Sequence, residues 1–165
     1  MSHILIAGLG DLGSGLAEQL LVEGHRVSAI RRGSHCPAGV ELYSQDLQEG
    51  AAMLPPDPVD LVVIIMTPSE YSEEGYLKAY VRAPQTLLDA LAGQQPLPPV
   101  VFVSSTAVFG DVEGQVDELT PPKPTRYNGK VLLAAEEELS IRSHCTVVRF
   151  SGIYGPGRYR QIDKA

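Results

Sequence analysis

The sequence predicts a doubly wound α/β fold, a parallel sheet held between helices in three layers. Three observations predict it. Short apolar runs at residues 3–7, 26–30, 61–66, 100–103 and 146–150 alternate with longer stretches of helical periodicity. The run 61–66 is almost purely apolar, as a strand covered on both faces requires. A glycine turn, Gly8-Leu9-Gly10-Asp11-Leu12-Gly13, joins the first apolar run to the first helical stretch. Strands alternating with helices imply right-handed crossovers and parallel pairing.

Each element has its own justification. Residues 3–7 are short, apolar and ended by glycine, hence a buried strand. Leu12, Leu16, Leu20 and Leu21 recur at helical spacing, and Gly24 stands where a helix C-cap belongs. Residues 26–30 read as a second strand and 39–43 as a short third one, leading to Asp46-Leu47. Pro55-Pro56-Asp57-Pro58 is a turn-rich connector before the strand at 61–66. Residues 76–91 read as a long helix containing Pro84, which must kink it or begin a new turn. Pro96, Pro98 and Pro99 form the next connector, followed by a strand at 100–103 and the short segment 106–109. Residues 117–124 are polar and proline-rich, hence loop. Residues 130–140 read as a helix with Leu132, Leu133 and Ala135 inward and Glu136, Glu137 and Glu138 on a solvated face. The last strand is 146–150. This makes about six strands, with no internal repeat and no low-complexity segment.

The length of 165 residues suits one domain spanning 1–165. The formal charge of −7 argues against non-specific binding to nucleic acid or to an anionic membrane, but not against a phosphorylated ligand held by a local positive site. Cys36 and Cys145 form no CxxC, so a structural disulfide or zinc site is not expected and a reducing cytoplasm is the natural compartment. His3, His25, His35 and His144 share no metal-ligand spacing. No apolar run approaches the roughly 18 residues of a membrane helix, and the N-terminus lacks a signal-peptide pattern.

The glycine turn between a strand and an amphipathic helix is the context in which Gly-x-Gly-x-x-Gly binds a dinucleotide. Gly8 permits the tight turn, Gly10 lets phosphates approach the backbone and Gly13 lets helix and strand pack closely. The helix start at Asp11 and Leu12 offers free N–H groups and a positive dipole end to a pyrophosphate. The competing reading is a glycine-rich turn with no ligand. A P-loop is excluded here, because no Gly-Lys-Ser/Thr follows. NAD sites usually carry an acid after the second strand, which binds the ribose 2′-hydroxyl. This chain has Ile30-Arg31-Arg32-Gly33-Ser34. Guanidinium groups cannot accept that hydrogen bond but can clamp a 2′-phosphate. NADP(H) is therefore favoured, with NAD(H) still open. The alternative for Arg31 and Arg32 is two solvated surface arginines. Asp46 and Leu47 could flank the adenine, or Asp46 could be an exposed loop aspartate. Met66, Thr67 and Pro68 end the fourth strand on the nicotinamide side, and Ser104 ends the fifth. Tyr71 and Tyr76 could line a substrate pocket or cap the sheet edge. The fold is thus expected to be Rossmann-like.

Four segments in this order carry a resemblance. They are Gly8 to Gly13, Val103-Ser104-Ser105-Thr106-Ala107-Val108-Phe109-Gly110, Leu133-Ala134-Ala135-Glu136-Glu137, and Arg149-Phe150-Ser151-Gly152-Ile153-Tyr154-Gly155-Pro156-Gly157-Arg158. The chain resembles, over essentially its whole length, the extended short-chain dehydrogenase/reductases. More narrowly it is similar to the NAD-dependent epimerase/dehydratase family that acts on nucleotide sugars. The resemblance implies hydride exchange with nicotinamide, a small-molecule substrate such as a nucleotide sugar, and Ser105 hydrogen-bonded to the reacting oxygen. It also implies a Tyr-x-x-x-Lys pair for proton transfer. The nearest pair here is Tyr127 and Lys130, three apart. Aligned on Leu133 to Glu137 instead, the two positions fall on Asn128 and Leu132, and both registers stay open.

Other departures are the form of the glycine motif, Ile65-Met66-Thr67-Pro68 after the fourth strand, Thr106 where dehydratases often place an acid, and Tyr80 in place of the family's helix asparagine. Members continue past Tyr-Gly-Pro-Gly-Arg into a helical substrate domain, so the resemblance implies that this chain lacks that domain. Helices 76–91 and 130–140 are the candidate faces of a homodimer. Two functional expectations result. One is the cofactor domain of an atypical epimerase, dehydratase or reductase. The other is a non-catalytic dinucleotide-binding or redox-sensing module that keeps the fold without the tyrosine–lysine pair.

Overall fold

The computed structural model describes residues 1–93 and 96–155. Among these residues are six strands: β1 His3–Ala7, β2 Arg26–Arg31, β3 Glu41–Ser44, β4 Leu61–Ile64, β5 Val100–Ser105 and β6 Cys145–Phe150. They form one sheet in the order β3-β2-β1-β4-β5-β6, all pairs parallel. This is the Rossmann-like order, and it reverses between β1 and β4. A crevice opens there at the carboxyl ends of the strands, where ligands of such sheets bind.

Alternation along the central strands sorts the core into two layers. Ile4 and Ile6 of β1, with Val27 and Ala29 of β2, pack against Ala17, Leu16 and Leu20 of α1, Asp11–Val22. Leu5, Ala7, Ile30 and Phe102 face the opposite way, against Leu87 and Leu88 of α3, Ala83–Leu91, and Leu132 and Ala135 of α4, Tyr127–Arg142. All five residues of β1 are buried, as its central place requires. His3, at the start of β1, is a satisfied core histidine, with Nε2 2.8 Å from Ser28 Oγ and Nδ1 2.9 Å from the Pro58 carbonyl.

Gly24 ends α1 as expected. Its φ of +83° allows its N–H to reach the Leu21 carbonyl, and the His25 N–H reaches that of Leu20. The long helix expected at 76–91 is three pieces. It starts three residues earlier as α2, Glu73–Leu77, because Ser72 caps it by accepting from the Gly75 N–H at 3.1 Å. A π-helical turn, Lys78–Arg82, follows, and α3 begins with Pro84 in its first turn. Pro84 has no N–H to offer the Tyr80 carbonyl, and the chain reaches it through a wider turn in which the Ala83 N–H bonds to Lys78.

One expectation is corrected. Glu136, read as part of a solvated face, is 4% exposed. Leu132, Ala135, Glu136 and Leu139 form one buried stripe of α4, since helical spacing carries Glu136 to the face of its apolar neighbours. The carboxylate survives there because it is paired. Arg149 Nη2 donates to Oε2 at 2.7 Å and Ser104 Oγ donates to Oε1 at 2.5 Å. Glu137 is exposed as expected, whereas Glu138 is half-buried and accepts from Gln85 Nε2 on α3.

Candidate functional site

The crevice at the carboxyl ends of β1, β4 and β5 divides into two adjoining cavities. Both are lined by Gly10, Ile65, Met66 and Thr67. The first, about 180 Å³, lies toward β2 and β3. The second, about 220 Å³, lies toward β5 and β6.

The glycine turn stands between them, and its three glycines have three different reasons. Gly8 has φ +104°, and a Cβ there would lie 2.0 Å from the Ile65 carbonyl oxygen. A Cβ on Gly13 would lie 2.3 Å from the Gly8 carbonyl oxygen. A Cβ on Gly10 would meet nothing within 4 Å, so the space above that residue is open. Gly10 is the N-cap of α1 and has no side chain to occupy the helix's first N–H groups. A helix N-terminus whose N-cap carries no side chain, beside open space, is what a pyrophosphate needs.

The first cavity gathers Gly8, Arg31, Arg32, Asp46 and Leu47. Parallel pairing of Arg31 with Ser44 is what brings the loop after β3 beside the arginines. Arg31 Nη1 donates to the His35 carbonyl at 2.6 Å, and Arg32 donates to Ser69 Oγ. Asp46 Oδ1 accepts from the Gln48 N–H at 3.0 Å, an Asx turn that shapes the cavity floor. Ser34 is exposed and does not line the cavity. Gln45 and Gln48 do line it and were not anticipated, because their position depends on strand register, which no local motif encodes.

The second cavity gathers Asp11, Leu12, Gly13, Ser104 and Ser105. Ser105 Oγ also accepts from the Ala107 N–H at 3.2 Å, capping the short 3₁₀ turn Thr106–Phe109. Ser104 points the other way, into the buried cluster with Glu136 and Arg149, whose guanidinium lies 5.0 Å from the Phe109 ring centroid. Pro68 is buried and lines neither cavity. Tyr80, Leu132 and Phe150 line the second cavity. Of these, Phe150 is placed by its pairing with Ser105 across β5 and β6.

Tyr127 and Lys130 are part of neither cavity's lining. Tyr127 opens α4, and its hydroxyl donates to the Tyr71 carbonyl at 2.9 Å. Its ring meets Tyr76 edge-on at 5.5 Å. Lys130 is exposed. Leu132, two residues on, is the α4 side chain that reaches the cavity. Pro156, Gly157 and Arg158 of the last motif lie outside the described residues.

Comparison with known proteins agrees with this fold. The family model for the NAD-dependent epimerase/dehydratase family matches residues 4–165. The chain belongs to that family. Protein YeeZ of Escherichia coli K12 is 31% identical over 96% of this chain. The chain spans 61% of that relative's length. A structure from Methylobacillus flagellatus, assigned to NAD-dependent epimerase/dehydratase, is 40% identical, with a TM-score of 0.78 over 99% of this chain and 59% of its own. MoeE5, solved with UDP-glucose and NAD, is 27% identical, with a TM-score of 0.77 over 94% of this chain and 56% of its own. A UDP-galactose 4-epimerase is 25% identical, with a TM-score of 0.75 over 89% of this chain and 55% of its own. Among the described residues, no helix is long and apolar enough to cross a membrane.

Proposed function

We propose that this family member binds NADP(H) in preference to NAD(H) and serves hydride transfer on a nucleotide-sugar-like or related carbonyl or alcohol substrate. The observation that carries the reading is the placement of Arg31 and Arg32 on the wall of the cavity that begins at the glycine turn. Guanidinium groups only donate, so they suit a 2′-phosphate and not a 2′-hydroxyl that seeks an acceptor. The open space above Gly10 and the uncapped start of α1 fit the pyrophosphate.

When bound, nicotinamide supplies or takes up the hydride. The rest is work for the chain. The α1 N-terminus fixes the pyrophosphate, and the arginines fix the adenosine end. Ser105, oriented by the Ala107 N–H, keeps its own proton free to donate to a reacting oxygen. In this reading Tyr127, helped by Lys130, carries the proton, which requires its hydroxyl to leave the Tyr71 carbonyl. The sugar-nucleotide part of the reading leans on MoeE5, solved with UDP-glucose and NAD, and on the UDP-galactose 4-epimerase.

A second reading has its own observation. Tyr127 is engaged by Tyr71, and Leu132 occupies the α4 position facing the second cavity. Both suit a dinucleotide-binding or redox-sensing module that does no proton transfer.

The test is calorimetric titration of the chain with NADPH and with NADH, beside an Arg31→Ala/Arg32→Ala variant. Charge-assisted hydrogen bonds are worth about 1.5–3 kcal/mol each, so losing two should weaken NADPH binding by about a hundredfold or more and leave NADH nearly unchanged. NADH binding as tight as NADPH would overturn the preference. In a longer active protein carrying this domain, Tyr127→Phe would separate the two readings. Catalysis through Tyr127 predicts a loss of about a hundredfold or more in kcat, and the module reading predicts no change.

A further inference from the structure

The second cavity contains a polar group that the reading above leaves without a role. The cavity starts at the glycine turn and runs away from the arginines. A ligand whose pyrophosphate sits at the turn and whose adenosine lies in the first cavity must send its other nucleoside here. Much of the wall is apolar, with Met66, Leu132 and Phe150 among its side chains. Its hydroxyls differ in how free they are. Ser104 donates to Glu136, and Ser105 accepts from the Ala107 N–H. Thr67 and Ser151 are exposed at the rim. Tyr80 is half-buried, and its hydroxyl makes no hydrogen bond among the described residues.

The backbone and the packing explain why Tyr80 is there. It lies in the π-helical turn forced by Pro84, and such turns recur at functional sites because they re-aim a side chain. Its ring is held from two sides, 5.3 Å from the Tyr76 centroid and 6.3 Å edge-on from Phe102. Burial, together with the neighbouring Tyr76 and Tyr71, pushes its pKa up to about 12. The phenol therefore stays protonated and uncharged at neutral pH, able to donate one hydrogen bond and accept another. A half-buried hydroxyl without a protein partner keeps both its donor and its acceptor available, so a ligand hydroxyl can take the place of water there.

We propose that Tyr80 is a specificity residue of the second cavity, its hydroxyl hydrogen-bonding the sugar hydroxyls of the nucleoside opposite the adenosine. This rests on the dinucleotide reading of the glycine turn and first cavity. It separates the two cavities by task, since the arginines recognise the phosphorylated adenosine and Tyr80 the nicotinamide-side nucleoside.

The experiment titrates the 165-residue chain and its Tyr80→Phe variant with NADPH and with adenosine 2′,5′-bisphosphate, which has no second nucleoside. The substitution keeps the ring and its contacts, and matching thermal unfolding would confirm the fold. The expected result is an NADPH affinity lowered about three- to tenfold, the weight of one net hydrogen bond, with the bisphosphate affinity unchanged. Unchanged NADPH binding, or equal weakening of both ligands, overturns the role of Tyr80 and leaves the dinucleotide reading standing. Failure of the unsubstituted chain to bind either ligand overturns both.

Discussion

At the residue scale, Glu136 shows how one carboxylate can be both a liability and a clamp. It joins α4 to Ser104 on β5 and Arg149 on β6, at the edge of the second cavity. Removing one partner of a buried ion pair leaves the other uncompensated and costs roughly 3–5 kcal/mol. Arg149 keeps 23% of its side chain in solvent, so the expected cost of Glu136→Gln is at the lower end of that range. Urea unfolding measures it. A double variant, Glu136→Gln/Arg149→Met, should recover part of the loss, because no charge is then left unpaired. A Glu136→Gln variant as stable as the parent would mean that Arg149 finds water instead.

The helix ends and turns carry their own energetic costs. Gly24 closes α1 in the left-handed region, and an L side chain there pays about 1–2 kcal/mol. Nothing lies within 4 Å of a Cβ at Gly24, so the cost would be purely conformational. Gly24→Ala should therefore lower Tm by a few degrees, at about 2–4 °C per kcal/mol for a chain of this size. Gly24→Asn should fall less, since Asn tolerates that conformation. Equal thermal unfolding of Gly24→Ala and the parent would show that the α1 terminus can rearrange. Pro84 has the opposite character. Its missing N–H produces the π turn, and that turn sets Tyr80 on the cavity wall.

For the molecule as a whole, the strand order decides where function can lie. The reversal between β1 and β4 opens the crevice at the carboxyl ends, while the other end of the sheet is closed by polar pairing. There Glu41 accepts from the Tyr43 hydroxyl at 2.6 Å, from Arg26 at 2.9 Å and from Ser28 at 3.1 Å. The Tyr43 bond, followed by those from Arg26 and Ser28, holds the Glu41 carboxyl below its ordinary value of 4.5. A carboxyl depressed in the folded state adds stability that is fully present above 4.5 and is lost as pH falls through the lower folded value. Glu41→Gln should thus lower Tm at neutral pH, and its curve should converge on the parent's in acid. Thermal unfolding across that range checks it, and parallel curves would rule out this linkage.

Much of this was legible in the sequence, because the signals were local. Gly8, Gly10 and Gly13 sit within six residues, and their spacing alone implies the turn, the open space and the close packing that the structure contains. Apolar runs of strand length alternating with helical periodicity determined the parallel sheet. Arg31 and Arg32 drew notice as a phosphate clamp because they stand at the carboxyl end of the second strand. Where distant chemistry meets was settled only when the chain folded. Glu136 looked solvated because Ser104 and Arg149, its partners, are 32 and 13 residues away. Tyr127 looked free because Tyr71, which holds its hydroxyl, is 56 residues away. Backbone geometry is set by neighbours in the chain, and their pattern can be read from it. The fate of a polar side chain is set by whichever partner the fold brings within hydrogen-bonding reach, and that choice exists only once the sheet has formed.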